Sequence, residues 1–194
     1  MVLVLCVSDL HVPHRAADMP PEFKKLLVPG KIHHVLCAGN LCASEVYESL
    51  RAVCPNVHAV RGDFDEAASF PDSKVLSIGQ FRIGLCHGHQ VVPWGSLDAL
   101  CGLQRRLDVD ILVTGHTHKF KAYKHEDRFI INPGSATGAA TGLAGEARPS
   151  FALMDINDDR AVVYIYELTG GEPRVKVDKV EFKKTAATPQ QAAA

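Results

Sequence analysis

The chain has 194 residues, 46% of them hydrophobic, which suits one globular domain large enough to bury a core of its own. Its 21 basic and 22 acidic side chains leave a formal net charge of −1, and this balance argues against nucleic acid or an anionic membrane surface as a partner. No apolar stretch reaches the ~18 residues that span a bilayer, so no direct membrane insertion is predicted.

In the first half of the chain, apolar runs of strand length alternate with segments of helix-forming residues. Proline at the start and glycine after the end mark the bounds of the first helix. The predicted elements are, in order, a strand at Val2–Val7, a helix starting at Pro21 and ending before Gly30, a strand at His34–Ala38, a helix at Ser44–Val53 and a strand at Val57–Val60.

The middle of the chain adds a hairpin, a helix and two further strands. A Gly-Gln pair between two short apolar runs is typical of a hairpin, and leucines recur at helical spacing after Ser96. The predicted elements are hairpin strands at Lys74–Ile78 and Phe81–Cys86, a helix capped by Ser96 with Leu100, Leu103 and Leu107 on one face, and strands at Asp110–Val113 and Phe129–Ile131.

The last part of the chain has three predicted strands, Phe151–Ile156, Ala161–Leu168 and Arg174–Phe182, with no long helix between them. Early strands that alternate with helices, followed by strands that pair with each other, predict an α/β fold, a four-layer α/β/β/α sandwich. We assign residues 1–183 to this one domain. Residues 184–194 are rich in Ala, Thr, Pro and Gln, and we predict a flexible tail there.

The six cysteines are scattered along the chain, and none forms a Cys-x-x-Cys pair. Cys6, Cys37 and Cys86 lie in apolar runs, where a free thiol behaves as a small hydrophobe. We therefore predict that all six are reduced, which indicates a cytoplasmic protein.

Five predicted strands are each followed by a cluster of glycine and polar residues. Because loops at the carboxyl ends of strands converge on one crevice in α/β folds, these clusters should meet in the folded chain. Asp9 and His11 would share one face of an extended segment, as would His116 and His118. The candidate metal ligands are Asp9, His11, Asn40, Asp63, His87, His116 and His118.

Carboxylate and imidazole ligands together suit zinc, manganese or iron rather than calcium. Seven such side chains are enough for two ions, and two ions about 3.5–4 Å apart can clamp a phosphate for in-line attack. A single Asp-x-His is more often a turn, and a single His-x-His a polar stretch of strand. Five clusters that each end a strand favour a metal site.

The order Asp-x-His, Gly-Asn, Gly-Asp, His-Gly-His and Gly-His-x-His resembles the signature of the calcineurin-like metallophosphoesterase family, over residues 2 to about 183. In that family the second cluster carries a bridging Asp, where this chain has Asn40. The third cluster reads Gly-Asn-His, where this chain has Asp63 and Phe64. The resemblance implies the fold of the family and its metal site, altered at these three positions.

These departures decide what chemistry we expect. One carboxylate has in effect moved from position 40 to position 63, so the site keeps its formal charge but lacks the bridge. We expect up to two zinc or manganese ions, weakly bound; a purely structural role for the metal is a further possibility. The resemblance gives the histidine replaced by Phe64 the role of protonating the leaving group or stabilising the transition state, and general acid catalysis contributes roughly 10²–10⁴-fold. We therefore expect no enzyme; the alternative is a metal-dependent phosphoesterase of weak or narrow activity.

Four longer stretches of sequence narrow the resemblance to one group within the family. Phe23–Ile32, Arg61–Glu66, His87–Gly95 and Ile131–Ala139 are similar to the small subunits of the retromer, the complex that recycles cargo from endosomes to the Golgi or the cell surface. The resemblance implies a scaffold subunit that is peripheral on the endosome membrane through its partners. The first expected partner is the helical-solenoid subunit, vacuolar protein sorting-associated protein 35, which would cover the edge that carries the altered metal site.

The resemblance also implies a separate apolar patch that recruits regulators, such as a GTPase-activating protein for an endosomal Rab and a sorting nexin. Both faces of the strand at Ala161–Leu168 are apolar, so one face could meet the core and the other a partner. For each residue, burial in the core is the alternative, and the choice of Leu26 over Leu27 stays open. On the resemblance we assign the patch to Leu26, Leu153, Tyr164, Tyr166 and Val175.

Two further residues lie beside the predicted ligands in sequence. Trp94, the only tryptophan, is expected on a loop near the metal edge, where a structural role and a partner contact fit equally well. His89 follows His87 by two residues and could orient it. The histidines outside the clusters are expected at the surface or in packing, namely His33, His34, His58 and His125.

Overall fold

The computed structural model describes residues 1–66, 69–142, 147–169 and 174–184, without the side chains of 174–176. Every element predicted from the sequence is present, with ends that differ by a few residues. The helices and strands are β1 Val2–Val7, α1 Pro21–Leu26, β2 His34–Cys37, α2 Ser44–Val53, β3 Val57–Ala59, β4 Ser73–Ile78, β5 Phe81–Cys86, α3 Leu97–Leu107, β6 Ile111–Val113, β7 Phe120–His125, β8 Arg128–Pro133, β9 Ser150–Asn157, β10 Arg160–Thr169 and β11 Arg174–Lys183.

The first sheet has six strands in the order β11-β10-β9-β1-β2-β3. Strands β1, β2 and β3 are parallel, whereas β9, β10 and β11 pair antiparallel with their neighbours. The wholly apolar run of β1 is explained by this arrangement, because a parallel strand inside a sheet covered on both faces has no solvent side. The carboxyl ends of β1, β2 and β3 therefore lie at one edge.

The second sheet has five strands in the order β4-β5-β6-β8-β7. Its central strands β5, β6 and β8 are parallel, and antiparallel hairpins add β4 and β7 at the two edges. The loops after β5 and β6 therefore leave this sheet on the same side, as the loops after β1, β2 and β3 do in the first sheet.

The main core lies between the two sheets. It contains the fully buried side chains of Phe81, Phe129 and Phe182, and the rings of Phe129 and Phe182 stack with centroids 5.5 Å apart. Burying a side chain of this size stabilises a fold by roughly 1.5–3 kcal/mol. Ala161 and Val163 bring β10 into the same core, so the inner face of this strand is settled.

Helices cover the outer faces of both sheets. Phe23 of α1 and Leu50 of α2 pack on the first sheet, and Leu100 and Leu103 of α3 pack on the second. The hydroxyl of Ser96 accepts a hydrogen bond from the backbone of α3, as a capping serine does. The order helix, sheet, sheet, helix confirms the predicted four-layer α/β/β/α sandwich. Among the described residues, no helix combines the length and apolarity needed to span a bilayer.

All six cysteines lie in the described part of the chain, and each is a free thiol. The backbone of β11 pairs with β10 as far as Arg174, but the side chain of Val175 lies outside the described part of the chain, as do residues 185–194 of the predicted tail. Lys184 is described, and its ammonium lies 2.7 Å from the carboxylate of Asp110.

Candidate metal centre

All seven candidate ligands meet where the parallel strands of both sheets end. Asp9 and His11 follow β1, Asn40 follows β2 and Asp63 follows β3, whereas His87 follows β5. His116 and His118 follow β6. Each strand supplies a rigid base for its ligand, which is the usual arrangement at the carboxyl ends of strands in α/β folds.

The side chains divide into two groups, each with three potential ligand atoms within 4.8 Å of one another. In the first group, Nε2 of His118 lies 3.3 Å from Oδ1 of Asp9 and 3.2 Å from Nε2 of His11. Two atoms bound to the same tetrahedral zinc ion at 2.0–2.1 Å are separated by about 3.3 Å. The first group therefore has the spacing that one such ion requires.

The second group consists of Asp63, His87 and His116. Nε2 of His87 lies 2.9 Å from Oδ1 of Asp63, and Nδ1 of His116 lies 3.6 Å from the same oxygen. The side chains of His87 and His116 are buried, whereas that of Asp63 is 30% exposed. Solvent thus reaches the centre from the side of Asp63.

Asn40 lies between the two groups. Its Nδ2 donates to Oδ1 of Asp9 at 3.1 Å and to Oδ1 of Asp63 at 3.0 Å, so the amide links the two carboxylates. Its Oδ1 accepts the backbone N–H of Phe64 at 2.9 Å. The side chain occupies the position that the bridging Asp holds in the family pattern, but it presents a donor to both groups.

Two backbone carbonyls orient the imidazoles. Nδ1 of His118 lies 2.7 Å from the carbonyl oxygen of Ala139, and Nδ1 of His87 contacts that of Ala38. A carbonyl only accepts, so each Nδ1 carries a proton, and Nε2 is the nitrogen that would lose its proton to bind an ion. This is the arrangement that metal-binding histidines require. The chemistry of the donor set therefore fits zinc or manganese.

The charges of the centre support one another. Burial opposes ionisation of Asp9, but His11, His118 and His87 outweigh it and hold the pKa of its carboxyl far below the usual range. Burial also opposes ionisation of Asp63, but the neighbouring His116 and the hydrogen bond with His87 outweigh it and lower the pKa of its carboxyl. Burial alone would lower the pKa of His87, but its hydrogen bond to Asp63 and the charge of Asp9 raise it. The centre therefore stabilises ionised carboxylates next to positive charge.

The backbone that carries the ligands is left-handed rather than extended. The φ angles are 53° at Asp9, 49° at His11, 57° at Asn40, 68° at His116 and 55° at His118. The prediction of extended Asp-x-His and His-x-His segments was therefore wrong. Asp9 and His11 still reach one group, but His116 and His118 point into different groups.

Glycines allow the ligand loops to touch. A Cβ at Gly62 would lie 2.1 Å from Oδ1 of Asn40, and one at Gly115 would lie 1.9 Å from Oγ of Ser8 and 2.9 Å from Oδ2 of Asp9. Any larger residue at either position would push the ligand loops apart. The Gly-x pattern of the clusters thus has a steric cause.

Aromatic side chains form the rim of the centre. Phe64 stands edge-on to His11 with ring centroids 5.3 Å apart, and the guanidinium of Arg15 lies 4.2 Å from the Phe64 ring. Trp94 stands edge-on to His116 at 4.7 Å, so this residue does lie at the metal edge. Phe64 and Trp94 are 47% and 50% exposed.

His89 packs beside the centre without a hydrogen bond to it among the described residues. Its ring lies 5.3 Å from that of His87, and its buried Nδ1 has no partner there. The structure thus shows proximity to His87 but no orienting bond.

Sequence reasoning missed Ser135, whose buried hydroxyl donates to the backbone oxygen of Asp9 at 2.7 Å. Its position directly after the Pro-Gly turn that ends β8 was the signal available.

The predicted apolar patch lies on the outer face of the first sheet. Tyr164 of β10 pairs with Leu153 of β9, and Tyr166 stacks on Phe151 with centroids 4.7 Å apart. Leu153, Tyr164 and Tyr166 are partly exposed. At α1, Leu26 is 42% exposed and Leu27 only 6%, which favours Leu26 as the surface residue.

Comparison with known proteins gives the family. Residues 2–159 match the calcineurin-like phosphoesterase superfamily domain. Over 187 residues the chain is 43% identical to vacuolar protein sorting-associated protein 29 (Vps29) of Schizosaccharomyces pombe, covering 94% of this chain and 99% of that protein. The chain belongs to the Vps29 family. Membership of the Vps29 family supports a role as a subunit of the retromer.

Solved structures agree with this assignment. Vps29 of Cryptosporidium parvum is 43% identical, covers 94% of this chain and 98% of its own, and superposes with a TM-score of 0.90. Wild-type Vps29 of Entamoeba histolytica, solved in complex with Zn²⁺, is 49% identical, covers 94% of this chain and 100% of its own, and has a TM-score of 0.88. The fold described above is thus that of the Vps29 family.

Proposed function

We propose that this chain is a scaffold subunit of the retromer and has no efficient phosphatase activity. Its metal-site edge binds the helical-solenoid subunit, vacuolar protein sorting-associated protein 35. Its outer-face patch, consisting of Leu26, Leu153, Tyr164 and Tyr166, binds a Rab GTPase-activating protein and a sorting nexin. The two groups of ligands hold up to two zinc or manganese ions, and the chain is peripheral on the cytoplasmic side of endosome membranes through its partners.

The observation that carries this proposal is Phe64. Its backbone N–H donates to Oδ1 of Asn40, and its ring contacts both His11 and the guanidinium of Arg15. A phenyl ring has no proton to give to a leaving group, and a general acid contributes roughly 10²–10⁴-fold to such reactions. The centre thus keeps the groups that hold ions and lacks the one that would complete the chemistry.

The exposed rim supports a macromolecular partner at the same edge. Phe64 and Trp94, which contact His11 and His116, are 47% and 50% exposed, and Val92, two residues before Trp94 in the same loop, is 74% exposed. Large exposed aromatic side chains are typical of the buried centre of a protein–protein interface. A partner that covers this edge would remove all three from water and would also block access of a large substrate.

The outer-face patch supports a second, independent partner. Its tyrosines offer apolar area together with a polar tip, which favours contact surfaces. Val177, 49% exposed on β11 and paired with Tyr166, extends the same face. Because the patch lies on the outer face of the first sheet and the metal centre at the strand ends, both partners could bind at once.

Paired variants test the two surfaces. Val92→Asp should abolish binding of the purified chain to the solenoid subunit and leave regulator binding unchanged, whereas Tyr164→Ser should do the reverse. Isothermal titration calorimetry measures both affinities. Asp9→Ala should lose metal but still bind the solenoid subunit. If folded Asp9→Ala failed to bind it, the edge would act as a metal site rather than as a scaffold surface.

Two complete ligand groups favour a second candidate function, a metal-dependent phosphoesterase of narrow specificity. Ions held there would polarise a phosphate ester and neutralise its charge. We expect no hydrolysis of p-nitrophenyl phosphate or its bis-ester by the wild type with zinc or manganese, and measurable hydrolysis by Phe64→His. Wild-type turnover on the order of 1 per second that is lost in Asp9→Ala would establish the enzyme instead.

A further inference from the structure

The carboxylate of Asp65 collects three backbone N–H groups from the loops that carry Asn40 and Asp63. Its Oδ2 accepts from the backbone of Asn40 and of Gly62, each at 2.8 Å, and its Oδ1 accepts from the backbone of Cys42 at 2.8 Å. Asp65 belongs to neither ligand group. Its oxygens face the peptide backbone that supports the ligands.

The backbone conformation explains why these N–H groups need an acceptor. Asn40 and Cys42 have φ angles of 57° and 71°, so the loop after β2 cannot satisfy its own N–H groups as a helix or strand would. Backbone N–H groups that converge in this way form a binding site for an anion. Asp65 supplies that anion from within the chain.

The same carboxylate joins two loops that are already in backbone contact. A Cβ at Gly39 would lie 2.7 Å from the backbone nitrogen of Gly62, so the loops after β2 and β3 approach as closely as glycine permits. Asp65 bonds to both sides of this contact. A shift of either loop would therefore stretch at least one of its three hydrogen bonds.

We infer that Asp65 is a positioning residue for the metal centre: it holds Asn40, between the two ligand groups, in register with Asp63, in the second. It acts through the backbone and does not touch an ion. This inference rests on the proposed metal-binding role of the centre. Residues that orient metal ligands typically change metal affinity 10- to 100-fold when they are replaced.

The experiment compares zinc binding by the wild type, Asp65→Asn, Asp65→Glu and Asp72→Asn, using calorimetry on the full chain. Asp65→Asn removes one acceptor oxygen, and Asp65→Glu keeps the charge but moves the carboxylate. We expect each to bind zinc at least ~10-fold more weakly. Asp72→Asn is the matched control, because the carboxylate of Asp72 pairs with the side chain of Arg61 at the surface and accepts none of the three backbone N–H groups that Asp65 binds. It should bind as the wild type does.

Amide hydrogen exchange without metal supplies a readout that does not depend on zinc. In Asp65→Asn, exchange should accelerate at the amides of Asn40, Cys42 and Gly62, whereas amides of β1 and β5 should keep their protection. Acceleration throughout the chain would indicate a general structural role and would overturn the inference. Failure of both Asp65 variants to fold would overturn it too, because the carboxylate would then hold the whole fold.

The two proposals fail in different ways. If the wild type binds no zinc or manganese, the proposed metal centre is wrong, and local exchange alone decides whether Asp65 positions the loops. If the wild type binds zinc and both Asp65 variants bind it equally well, the inference about Asp65 is wrong and the metal centre stands. An equal loss in Asp72→Asn would assign the effect to net charge and would also overturn the inference.

Discussion

Asn40→Asp would restore the bridging carboxylate of the family pattern. The structure predicts that this change lowers the stability of the metal-free chain and raises that of the zinc-bound chain. The amide nitrogen lies 3.1 Å from Oδ1 of Asp9 and 3.0 Å from Oδ1 of Asp63. A carboxylate oxygen placed there would lose both hydrogen bonds. At an effective dielectric constant of 20 it would repel each neighbour by about 5 kcal/mol.

Proton uptake limits this cost. Holding an Asp neutral at pH 7 costs about 1.36 kcal/mol for each of about three pH units above its usual pKa. The metal-free variant should therefore lose up to about 4 kcal/mol of the free energy of unfolding. For a chain of this size, that lowers the melting temperature by roughly 8–16 °C. With zinc, a third carboxylate should instead tighten binding and raise the melting temperature above that of the wild type.

The assay is thermal unfolding with chelator and with zinc, together with calorimetric titration of zinc. Asn56→Asp provides the matched control, since its exposed amide donates to the backbone oxygen of His33 rather than to a candidate ligand. It should melt as the wild type does in both conditions. An Asn40→Asp chain that melts with the wild type in chelator and binds zinc no more tightly would refute the reasoning.

The other predictions concern pH and loop contact. Because the pKa of His87 is raised in the folded chain, the stability that its protonated form contributes is complete below about pH 6.5 and is lost as pH rises through the folded pKa. The metal-free protein should therefore have a lower melting temperature at pH 9 than at pH 6. His87→Gln should reduce that difference. The lowered pKa values of Asp9 and Asp63 have the opposite sign, so further stability should disappear as pH falls below about 4 in an acid titration followed by circular dichroism. Gly62→Ala should abolish zinc binding in calorimetry, since its Cβ would meet Asn40 at 2.1 Å, whereas Gly102→Ala, which meets nothing within 4 Å in α3, should bind normally and gain up to about 1 kcal/mol of stability.

The strands and helices that the sequence predicts are those with a long and consistent pattern. The apolar run of β1 indicates a strand, and the helix-forming residues of α2 indicate a helix, with few competing signals. Strand β7, Phe120–His125, was missed because none of its side chains is fully buried: Phe120 and Ala122 pack against the core between the sheets and Tyr123 against the core under α3, and all three are half-buried. Its hairpin turn also lacks the usual signal: Glu126 and Asp127 replace the asparagine or glycine that two-residue turns favour.

The sequence predicts which side chains meet at the candidate metal centre, but not how they divide into two groups. Strand-end clusters are visible in the sequence, and topology brings them together. The group that each side chain joins depends on left-handed φ angles at residues such as His116 and His118. The pattern of residue types does not predict these angles. Asp65 was quoted only within a family run, because a carboxylate that binds backbone N–H groups looks like any loop acid.

The cost of that left-handed backbone bears on function. Five candidate ligands other than glycine have φ angles between 49° and 68°, and each such residue costs roughly 1–2 kcal/mol relative to a right-handed one. Strain of this kind persists only where the surrounding structure enforces it, and here Gly62, Gly115, Asp65 and Ser135 do so. Because Phe64 cannot donate a proton, efficient phosphate chemistry does not explain why the chain keeps this conformational strain. Metal binding and a rigid, aromatic-rimmed edge for a partner both require the loops to be held in this form.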